Sequence, residues 1–318
     1  MHFIFYVQIH YGLDNFIARK PVVTIGTFDG VHLGHREVID ELKRISLKTG
    51  GESVVFTFSP HPRMIVTPSE DTIRLLSTIE EKTALLEAMQ LDHLVIYPFT
   101  RDFAALSYKE FVEDVLVKRM HIHKLVTGYD HKLGHDRKGD FKALSLLGAQ
   151  FGFEVEQLSP LVVENVAVSS TKIRQALETG DMRKANQLLG YSYILKGQVV
   201  EGKRLGRELG FPTANILPDD RHKLVPTDGV YAVYVLVGGD RYEGMLNVGT
   251  RPTVNSNVDH RSIEVNIFNF SKDIYQQDIT VHFMEQIRNE VKFENLTKLK
   301  EQLENDKIKA MLIFAGLR

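Results

Sequence analysis

The chain contains no cysteine, which excludes disulfide bonds and thiolate metal sites. A sequence without cysteine fits a reducing compartment, so we expect a cytoplasmic protein. The formal net charge is only −2, whereas a protein that binds duplex nucleic acid usually presents a strongly basic face. No apolar run approaches the roughly 18 residues that span a bilayer. We therefore expect neither nucleic acid nor a membrane as a partner.

The amino-terminal stretch does not have the pattern expected of a secretory signal. Met1–Val7 is apolar, but it has no basic segment before it and no small-residue cleavage site after it. We interpret this stretch as a first β-strand.

Length and composition are those of an ordinary globular protein with two domains. The chain has 318 residues, of which 43% are hydrophobic and 25% charged. This length is more than one core usually needs and is comfortable for two. The character of the sequence changes near Gly190-Tyr191, which predicts domains at 1–188 and 189–318. We expect a monomer or a weak homo-oligomer.

The first half alternates strand-like and helix-like segments. Strands are predicted at 21–25, 53–58, 93–97 and 124–128, and helices at 36–42, 77–91, 108–118 and 142–151. The helix at 77–91 has charged residues at its outer positions. This alternation is typical of a parallel sheet wrapped by helices, whose ligands bind at the carboxyl ends of the strands.

The second half is rich in short β-runs separated by turn residues. These runs lie at 194–200, 231–237, 242–248, 262–270 and 279–283, and a charged, helix-periodic segment follows at 294–314. The pattern predicts an antiparallel barrel with a C-terminal helix.

The most informative segment is Gly26–His35, a glycine-rich turn between a predicted strand and a predicted helix. Such a turn suits an anionic phosphate, because free backbone N–H groups and the helix dipole both point at it. His32 and His35 lie three residues apart, so both can face one bound group. Gly34 between them lacks the Cβ that would hinder close approach. Taken alone, His-x-Gly-His is also compatible with a tight turn carrying two solvated histidines.

A second segment, Ser169–Arg174, precedes a short predicted helix. Ser170 and Thr171 are good helix N-cap residues, and capping by itself accounts for them. It does not account for Lys172 and Arg174, because cations near a helix N-terminus oppose the helix dipole. A bound polyphosphate would remove that conflict.

The stretch Gly202–Asn215 carries glycines at four-residue intervals, followed by Pro-Thr-Ala-Asn. Neither its spacing nor its context is that of a Walker A loop or a Rossmann fingerprint. With its basic residues it suits a polyphosphate, although a basic surface hairpin is an equally good interpretation. Thr213 and Asn215 offer the hard oxygen ligands that Mg²⁺ prefers.

An alternating strand at 262–268 places Glu264 on one face together with Asn266 and Phe268. A phosphoryl acceptor hydroxyl needs a base or an orienting carboxylate, and Glu264 has the chemistry for that role. A surface glutamate on a strand is the simpler alternative.

Together these motifs resemble those of the bacterial bifunctional FAD synthetases, which combine riboflavin kinase with FMN adenylyltransferase. Gly26–His35 is similar to the His-x-Gly-His motif of the nucleotidyltransferase superfamily, and Ser169–Arg174 to its Ser-Ser-Thr-x-Ile-Arg motif. Pro-Thr-Ala-Asn closely resembles the riboflavin kinase motif. The resemblance implies a Rossmann-like α/β nucleotidyltransferase domain followed by an antiparallel β-barrel kinase domain with a C-terminal helix. It also implies riboflavin, FMN and ATP as substrates, FAD as a product and Mg²⁺ as a cofactor.

The resemblance also implies roles for individual residues. The catalytic residues would be His32, His35, Arg174 and Glu264. ATP would be bound by Gly26, Thr27, Phe28, Asp29, Gly30, Gly34, Ser170, Thr171, Gly202, Lys203 and Gly206. The flavin would be bound by His61, Pro62, Asp130, Arg207 and Arg288, and Mg²⁺ by Thr213 and Asn215.

The sequence departs from the family pattern at several positions. Phe58–Arg63 and Gly128–Gly134 resemble the first and second flavin-side loops of the family. Ser59 stands where Asp is common, and Leu133 and His135 replace aromatic and basic residues. Near the kinase glutamate, Asn266 replaces the usual His and Asn269 stands where Asp is frequent.

Two alternatives to a bifunctional enzyme follow from these departures. One is an adenylyltransferase whose kinase half is weakened or inactive, which the retained Thr213, Asn215 and Glu264 oppose. The other is a non-catalytic flavin-binding regulator, which the retained histidines and the kinase carboxylate oppose.

Overall fold

The computed structural model describes residues 7–67, 73–129, 131–159, 161–163, 166–202, 206, 209–251 and 260–316. The chain forms two compact units. The α/β unit contains Met1–Ile73 and Ile79–Ser169, and the barrel unit contains Arg74–Thr78 and Ser170–Arg318. The strand predicted at Met1–Val7 lies outside the described residues except for its last residue.

The α/β unit is built on a six-stranded parallel sheet with the order β1-β4-β3-β2-β5-β6. Its strands are β1 Gln8–Tyr11, β2 Val22–Ile25, β3 Ser53–Ser59, β4 His93–Pro98, β5 Lys124–Thr127 and β6 Glu154–Gln157. A short antiparallel pair, β7 Val162–Val163 and β8 Val166–Ala167, follows. The strand order reverses at β2, which pairs with β3 on one side and β5 on the other. The crevice beyond β2 is therefore the expected ligand position.

Both faces of this sheet are buried. Val23, Val54 and Phe56 belong to one core cluster, while Val22 and Val55 belong to another. Neighbouring residues of one strand therefore point into different cores, which explains why the strands read as continuous apolar runs.

Helices connect the strands of the α/β unit. They are α1 Leu33–Thr49, α2 Pro62–Val66, α3 Ile79–Glu87, α4 Arg101–Ala104, α5 Tyr108–Glu110 with its π-helical continuation Phe111–Val117, and α6 Phe141–Phe151. Their ends carry ordinary sequence signals. α1 ends at Gly50, whose φ of 64° suits the left-handed C-cap, and Asp140 caps α6 through the N–H of Ala143.

The barrel unit is a closed antiparallel barrel with the order β10-β13-β12-β11-β14-β9. Its strands are β9 Tyr193–Val200, β10 Ala214–Pro218, β11 Gly229–Val237, β12 Asp240–Arg251, β13 His260–Ile267 and β14 Asp278–Asn289. Among the described residues, the unit also contains the helices α7 Ser170–Glu178, α8 Met182–Leu189 and α9 Leu296–Phe314.

The predicted fold class is confirmed: a parallel α/β unit is followed by an antiparallel barrel and a C-terminal helix. β10 was not predicted as a strand, because its first residues were interpreted only as part of a motif. The helix predicted at 77–91 is too long, because α3 covers only Ile79–Glu87.

The short segment 74–78 belongs to the barrel unit although its sequence neighbours do not. Leu75 accepts a hydrogen bond from the N–H of Leu224 and donates its own to the carbonyl of His222, at 2.8 and 2.7 Å. The buried Lys223 donates from Nζ to the carbonyl of Leu76 at 2.7 Å. These hydrogen bonds join residues that are far apart in sequence, so no local sequence pattern predicts them.

Candidate active sites

The turn between β2 and α1 is held in an unusual backbone conformation. Phe28, Gly30 and Val31 all have positive φ angles, of 47°, 82° and 35°. The N–H of Gly26 donates to the carbonyl of Phe56 at 3.0 Å. A Cβ at Gly26 would lie 3.1 Å from the ring of Phe28, so the glycine lets that aromatic ring fold back over the turn. Strain of this kind is typical of functional loops.

The helix begins inside the His-x-Gly-His motif, because His32 is the N-cap of α1. Its Nδ1 accepts a hydrogen bond from the backbone N–H of His35 at 3.3 Å. The side chain of His32 is 5% exposed. One imidazole of the motif therefore satisfies a helix end, a task usually given to Ser, Thr, Asp or Asn.

The two imidazoles stack on each other. The ring centroids of His32 and His35 are 3.6 Å apart with an interplanar angle of 12°, and the ring of Phe28 lies 5.0 Å from that of His35. A Cβ at Gly34 would be 3.3 Å from the ring of His32, so glycine leaves space for the stack. The predicted proximity of the two histidines is therefore present.

His35 is held in its neutral form. Burial lowers its pKa well below the usual value, and the neighbouring His32 and Lys82 lower it further. Its Nδ1 is buried and has no hydrogen-bond partner among the residues that the structure describes. A buried ring nitrogen without a partner is costly, and a bound group would satisfy it.

Lys82 on α3 is a residue of this region that the sequence analysis missed. Its side chain is only 5% exposed, although the helix pattern predicted charged residues at outer positions. Burial lowers the pKa of Lys82 to about 8, and the nearby carboxylate of Asp29, itself 1% exposed, opposes that shift. No sequence signal distinguishes this lysine from the solvated lysines of other helices.

The first flavin-side loop follows β3. His61 caps α2, because its Nδ1 accepts from the N–H of Arg63 at 3.2 Å, and Pro62 is the first residue of that helix. Aromatic rings lie close by in the same unit: Phe58 is 5.3 Å from Phe99 and 5.9 Å from Phe103, centroid to centroid. The sequence analysis did not single out Phe99 or Phe103.

The second flavin-side loop is described except at Asp130, which lies outside the described residues. In this loop the carbonyl of Tyr129 accepts from Nε2 of Gln157 at 3.1 Å. Leu133 is 8% exposed and pairs with Gly139 in an isolated bridge. Leu133 thus serves the core, which accounts for an aliphatic residue at a position where the resemblance implies an aromatic one.

The Ser-Ser-Thr-x-Ile-Arg motif opens α7, which belongs to the barrel unit. The helix begins at Ser170, so the hydroxyls of Ser170 and Thr171 both lie in its first turn. Arg174 donates from Nε to the carbonyl of Arg74 at 2.8 Å. The arginine therefore holds the segment 74–78 by its Nε.

In the barrel, three polar residues lie in one row across neighbouring strands. Asn215 of β10 is in register with Glu264 of β13, and Glu264 is in register with Asn247 of β12. Side chains directly opposite each other in antiparallel strands share a face. Thr213, just before β10, donates from its hydroxyl to Glu264 Oε2 at 3.2 Å.

Two cavities meet at Thr213. The larger, of about 670 Å³, is lined by residues 199–202, 212–215, 265, 267 and 270–275. The smaller, of about 260 Å³, has an apolar wall made of Leu209, Phe211, Val230, Met245, Val291, Phe293, Leu299 and Leu303. Its polar lining consists of Thr213, Asn247, Glu264, Asn266, Arg288 and Glu290. Thr213 lines both cavities and Glu264 lines the smaller one.

Two glycines of the kinase-like motif stand where a side chain would not fit. A Cβ at Gly202 would lie 1.9 Å from Nδ2 of Asn215, and a Cβ at Gly206 would lie 2.3 Å from the carbonyl oxygen of Phe211. Gly202 lines the larger cavity and Gly206 the smaller. Lys203 and Arg207 lie outside the described residues.

The two asparagines that depart from the family pattern have structural roles. Asn266 is 7% exposed and donates from Nδ2 to the carbonyl of Pro212 at 2.6 Å, which holds the segment before β10 against β13. Asn269 has a φ of 54°, a left-handed conformation that asparagine tolerates better than most residues. Neither replacement removes the contact between Thr213 and Glu264.

Within the described part of the chain, no group of three or more His, Cys, Asp or Glu side chains could hold a metal ion. Over the same residues, no helix is both long and apolar enough to cross a bilayer.

Comparison with known proteins gives matches in both halves of the chain. The family model described as FAD synthetase matches residues 15–172, and that described as riboflavin kinase matches residues 189–314. Among curated proteins, the bifunctional riboflavin kinase/FMN adenylyltransferase of Bacillus subtilis (strain 168) is 37% identical over 302 residues, covering 94% of each chain. The protein of the same name from Haemophilus influenzae is 38% identical over 304 residues, covering 94% of this chain and 97% of that protein.

Among solved structures, a crystal structure described as a macrolide-efflux protein from Streptococcus pneumoniae is 31% identical, with a TM-score of 0.86. The match covers 96% of this chain and 99% of that chain. The similarity to known proteins thus extends through both units.

Proposed function

The chain belongs to the bifunctional riboflavin kinase/FMN adenylyltransferase family, and from its two sites we propose how it makes FMN and then FAD. In the first reaction the γ-phosphoryl group of one ATP passes to riboflavin. In the second, the adenylyl group of another ATP passes to the FMN formed. The kinase domain corresponds to 189–318 and the adenylyltransferase domain to 1–188 in this proposal.

The smaller cavity of the barrel would bind the flavin. Its apolar wall suits a flat aromatic ring system, and its few polar groups suit a hydroxylated side chain. Glu264 is at hand to accept the proton of the riboflavin 5′-hydroxyl as its oxygen attacks the γ-phosphorus, while ADP leaves. Arg288, on the wall of the same cavity, would contact the flavin.

The larger cavity of the barrel would bind ATP. Thr213 lies on both cavities, so an acceptor in one and a phosphate donor in the other would meet beside its hydroxyl. This shared residue is the observation that carries the kinase proposal. Gly202 and Gly206 would let the backbone approach the phosphates, and we propose by resemblance that Lys203 and Arg207 contribute charge and flavin contact.

The residues around Thr213 also fit Mg²⁺. The Thr213 hydroxyl and the Asn215 side-chain oxygen are hard ligands of the kind this ion takes. Gly202 leaves open the space beside Asn215 that a Cβ would fill. When bound, Mg²⁺ would neutralise charge on the nucleotide phosphates, and Thr213 and Asn215 would hold it.

In the α/β unit, a phosphate oxygen of FMN would attack the α-phosphorus of ATP, and pyrophosphate would leave. The chemistry needs alignment and charge stabilisation more than covalent help. The turn Gly26–Gly30 and the N-terminus of α1 offer backbone N–H groups to phosphate. His32 and His35 would stabilise the charge at the α-phosphate, and the unpartnered Nδ1 of His35 is the observation that carries this role.

The remaining assignments of the second reaction rest on motifs. Ser170, Thr171 and Arg174 would bind ATP phosphates as in the Ser-Ser-Thr-x-Ile-Arg motif. His61, Pro62 and Asp130 would bind FMN, and Phe58 with its aromatic neighbours provides apolar surface near the first two. The cytoplasmic location and the oligomeric state remain predictions.

The test is chromatography of the protein incubated with riboflavin, ATP and Mg²⁺, followed by a second incubation that starts from FMN. Successive appearance of FMN and FAD supports both sites. FAD from FMN without FMN from riboflavin would favour the weakened-kinase alternative, and absence of both products would contradict the proposal.

A further inference from the structure

Lys82 is a charged group that the reaction scheme above leaves unused. A lysine at 5% exposure is rare in a folded protein unless its ammonium is paired. The opposite charge that acts on it comes from Asp29, which lies in the turn between β2 and α1 and is 1% exposed. The sequence places these residues more than fifty positions apart, on α3 and on the phosphate turn.

His35 belongs to the same electrostatic cluster. The charge of Lys82 contributes to the lowered pKa of His35, so the two groups lie within electrostatic reach of each other. The imidazole of His32 stacks on that of His35. Three nitrogen bases thus share a region in which Asp29 supplies the opposing charge.

This arrangement is unfavourable for positive charge as long as no anion is bound. Burial disfavours protonation of both His35 and Lys82, and in the described part of the chain the buried Nδ1 of His35 has no hydrogen-bond partner. A polyphosphate placed on the turn would reverse the situation, because its negative charge stabilises an ammonium and its oxygens accept hydrogen bonds. The site therefore has the composition of an anion-binding site.

We propose that Lys82 is a further residue of the adenylyl-transfer site, whose side-chain nitrogen contacts the ATP polyphosphate. The inference rests on the proposed adenylyl transfer. The charge of Asp29 favours the ammonium form of Lys82, and the fraction of Lys82 that is a neutral amine takes up a proton when the nucleotide binds. When ATP binds, Lys82 places a full positive charge beside the phosphates that His32 and His35 also face, and it stabilises the negative charge that the departing pyrophosphate acquires.

The test compares wild type with Lys82→Arg and Lys82→Met, with FMN supplied directly so that the kinase step is bypassed. Met is close in size but uncharged, whereas Arg is charged at every accessible pH. We expect kcat/KM for adenylyl transfer to fall about 100-fold in K82M and less than about tenfold in K82R. Phosphorylation of riboflavin by the barrel unit should stay at the wild-type rate in both variants.

A second experiment measures the proton uptake that accompanies ATP binding. Calorimetric titration with ATP at pH 8.5, in two buffers of different ionisation enthalpy, measures proton uptake. ATP bound by the barrel unit contributes equally in all variants, so the difference between variants belongs to Lys82. We expect wild type to take up a larger fraction of a proton per ATP than either K82R or K82M.

Specific outcomes would overturn the inference. Equal proton uptake in all three proteins would do so, as would an undiminished adenylyl-transfer rate in K82M. A third is recovery of the rate in the double variant Asp29→Asn/Lys82→Met, because it would mean that Lys82 only neutralises Asp29. Wild-type protein that makes no FAD from FMN and ATP would instead contradict the proposed function itself.

Discussion

Asp306 of α9 is completely buried, and its carboxylate binds the guanidinium of Arg288 on β14 through two nitrogens. Nε of Arg288 donates to the two carboxylate oxygens at 3.0 and 2.9 Å, and NH2 lies 2.8 Å from Oδ2. Gln302, one turn earlier on α9, donates to Asp306 Oδ1 at 2.8 Å. The C-terminal helix thereby fixes the orientation of an arginine that lines the smaller cavity.

Substitutions of Arg288 and Asp306 should separate the effect of this pair on stability from its effect on the KM for riboflavin. Asp306→Asn leaves Arg288, whose side chain is only 16% exposed, without its counter-charge. We expect the barrel unit to lose roughly 3–5 kcal/mol of unfolding free energy. The double variant Arg288→Met/Asp306→Leu removes both charges and should recover most of that loss. It should nevertheless show a raised KM for riboflavin, about tenfold or more. Urea unfolding and steady-state kinetics measure the two effects, and an unchanged KM in the double variant would mean that the pair is purely structural.

Glu264→Gln should abolish phosphorylation of riboflavin while FMN adenylylation continues. The amide cannot accept the hydroxyl proton, and loss of a general base typically costs roughly 10²–10⁴ in rate. Glu243→Gln, the same change at an exposed position of β12, serves as the matched control and should leave both rates unchanged. Equal loss of both activities in E264Q would point to misfolding.

His35→Asn should let FMN accumulate with little FAD. Removing one preorganised donor at a reacting phosphate typically costs roughly 3–4 kcal/mol of barrier, or 10²–10³ in kcat. His121→Asn is the control, since His121 is exposed and its φ of 51° suits asparagine. Both conversions are followed by separating riboflavin, FMN and FAD. A normal rate of FAD formation in H35N would refute the role of this histidine.

Gly202→Ala should weaken the kinase without unfolding the barrel. Its Cβ would lie 1.9 Å from Nδ2 of Asn215, so the asparagine side chain would have to move away from the cavity. We expect a raised KM for ATP and a raised Mg²⁺ requirement in riboflavin phosphorylation. Full kinase activity of G202A at limiting Mg²⁺ would show that the position of the Asn215 side chain is not required for phosphorylation of riboflavin.

The adenylyl-transfer step should lose ATP affinity at alkaline pH. The pKa of Lys82 is about 8 before the nucleotide binds, and a bound polyphosphate would raise it. Because the complex favours the protonated lysine, affinity is complete below about pH 8 and declines as the pH rises above it, by up to ~10-fold per pH unit. The profile of kcat/KM for ATP, measured with FMN as co-substrate, should be flat over this range in K82R. A decline that persists unchanged in K82R would assign the titration to another group.

Local sequence patterns were sufficient for most of the architecture. Apolar β-branched runs such as 22–25 and 53–58 mark strands because both faces of the sheet are buried. The helix predicted at 36–42 lies within α1, which extends from Leu33 to Thr49. β10 escaped prediction because it begins within a motif that was interpreted for its chemistry. The segment 74–78 escaped because its hydrogen bonds go to residues 222–224.

The residues of the candidate sites also fall into two groups, those suggested by the sequence and those that depend on long-range contacts. Gly26–His35 and Pro-Thr-Ala-Asn are contiguous, so the local sequence suggested phosphate chemistry, and the resemblance to riboflavin kinases pointed to Glu264. The hydrogen bond from Thr213 to Glu264 joins residues 51 positions apart. It depends on the register between β10 and β13, which no local pattern encodes.

By itself, the sequence predicted two domains and named the candidate phosphate-binding and catalytic groups in each half of the chain. Only the tertiary structure determined which charged residues are buried. Lys82 and Asp306 occur in helices whose sequence suits a solvated charged face, yet they are 5% and 0% exposed. The free energy of a buried charge depends on the groups that surround it in space. For these two residues those groups are Asp29 and Arg288, which only the fold brings near.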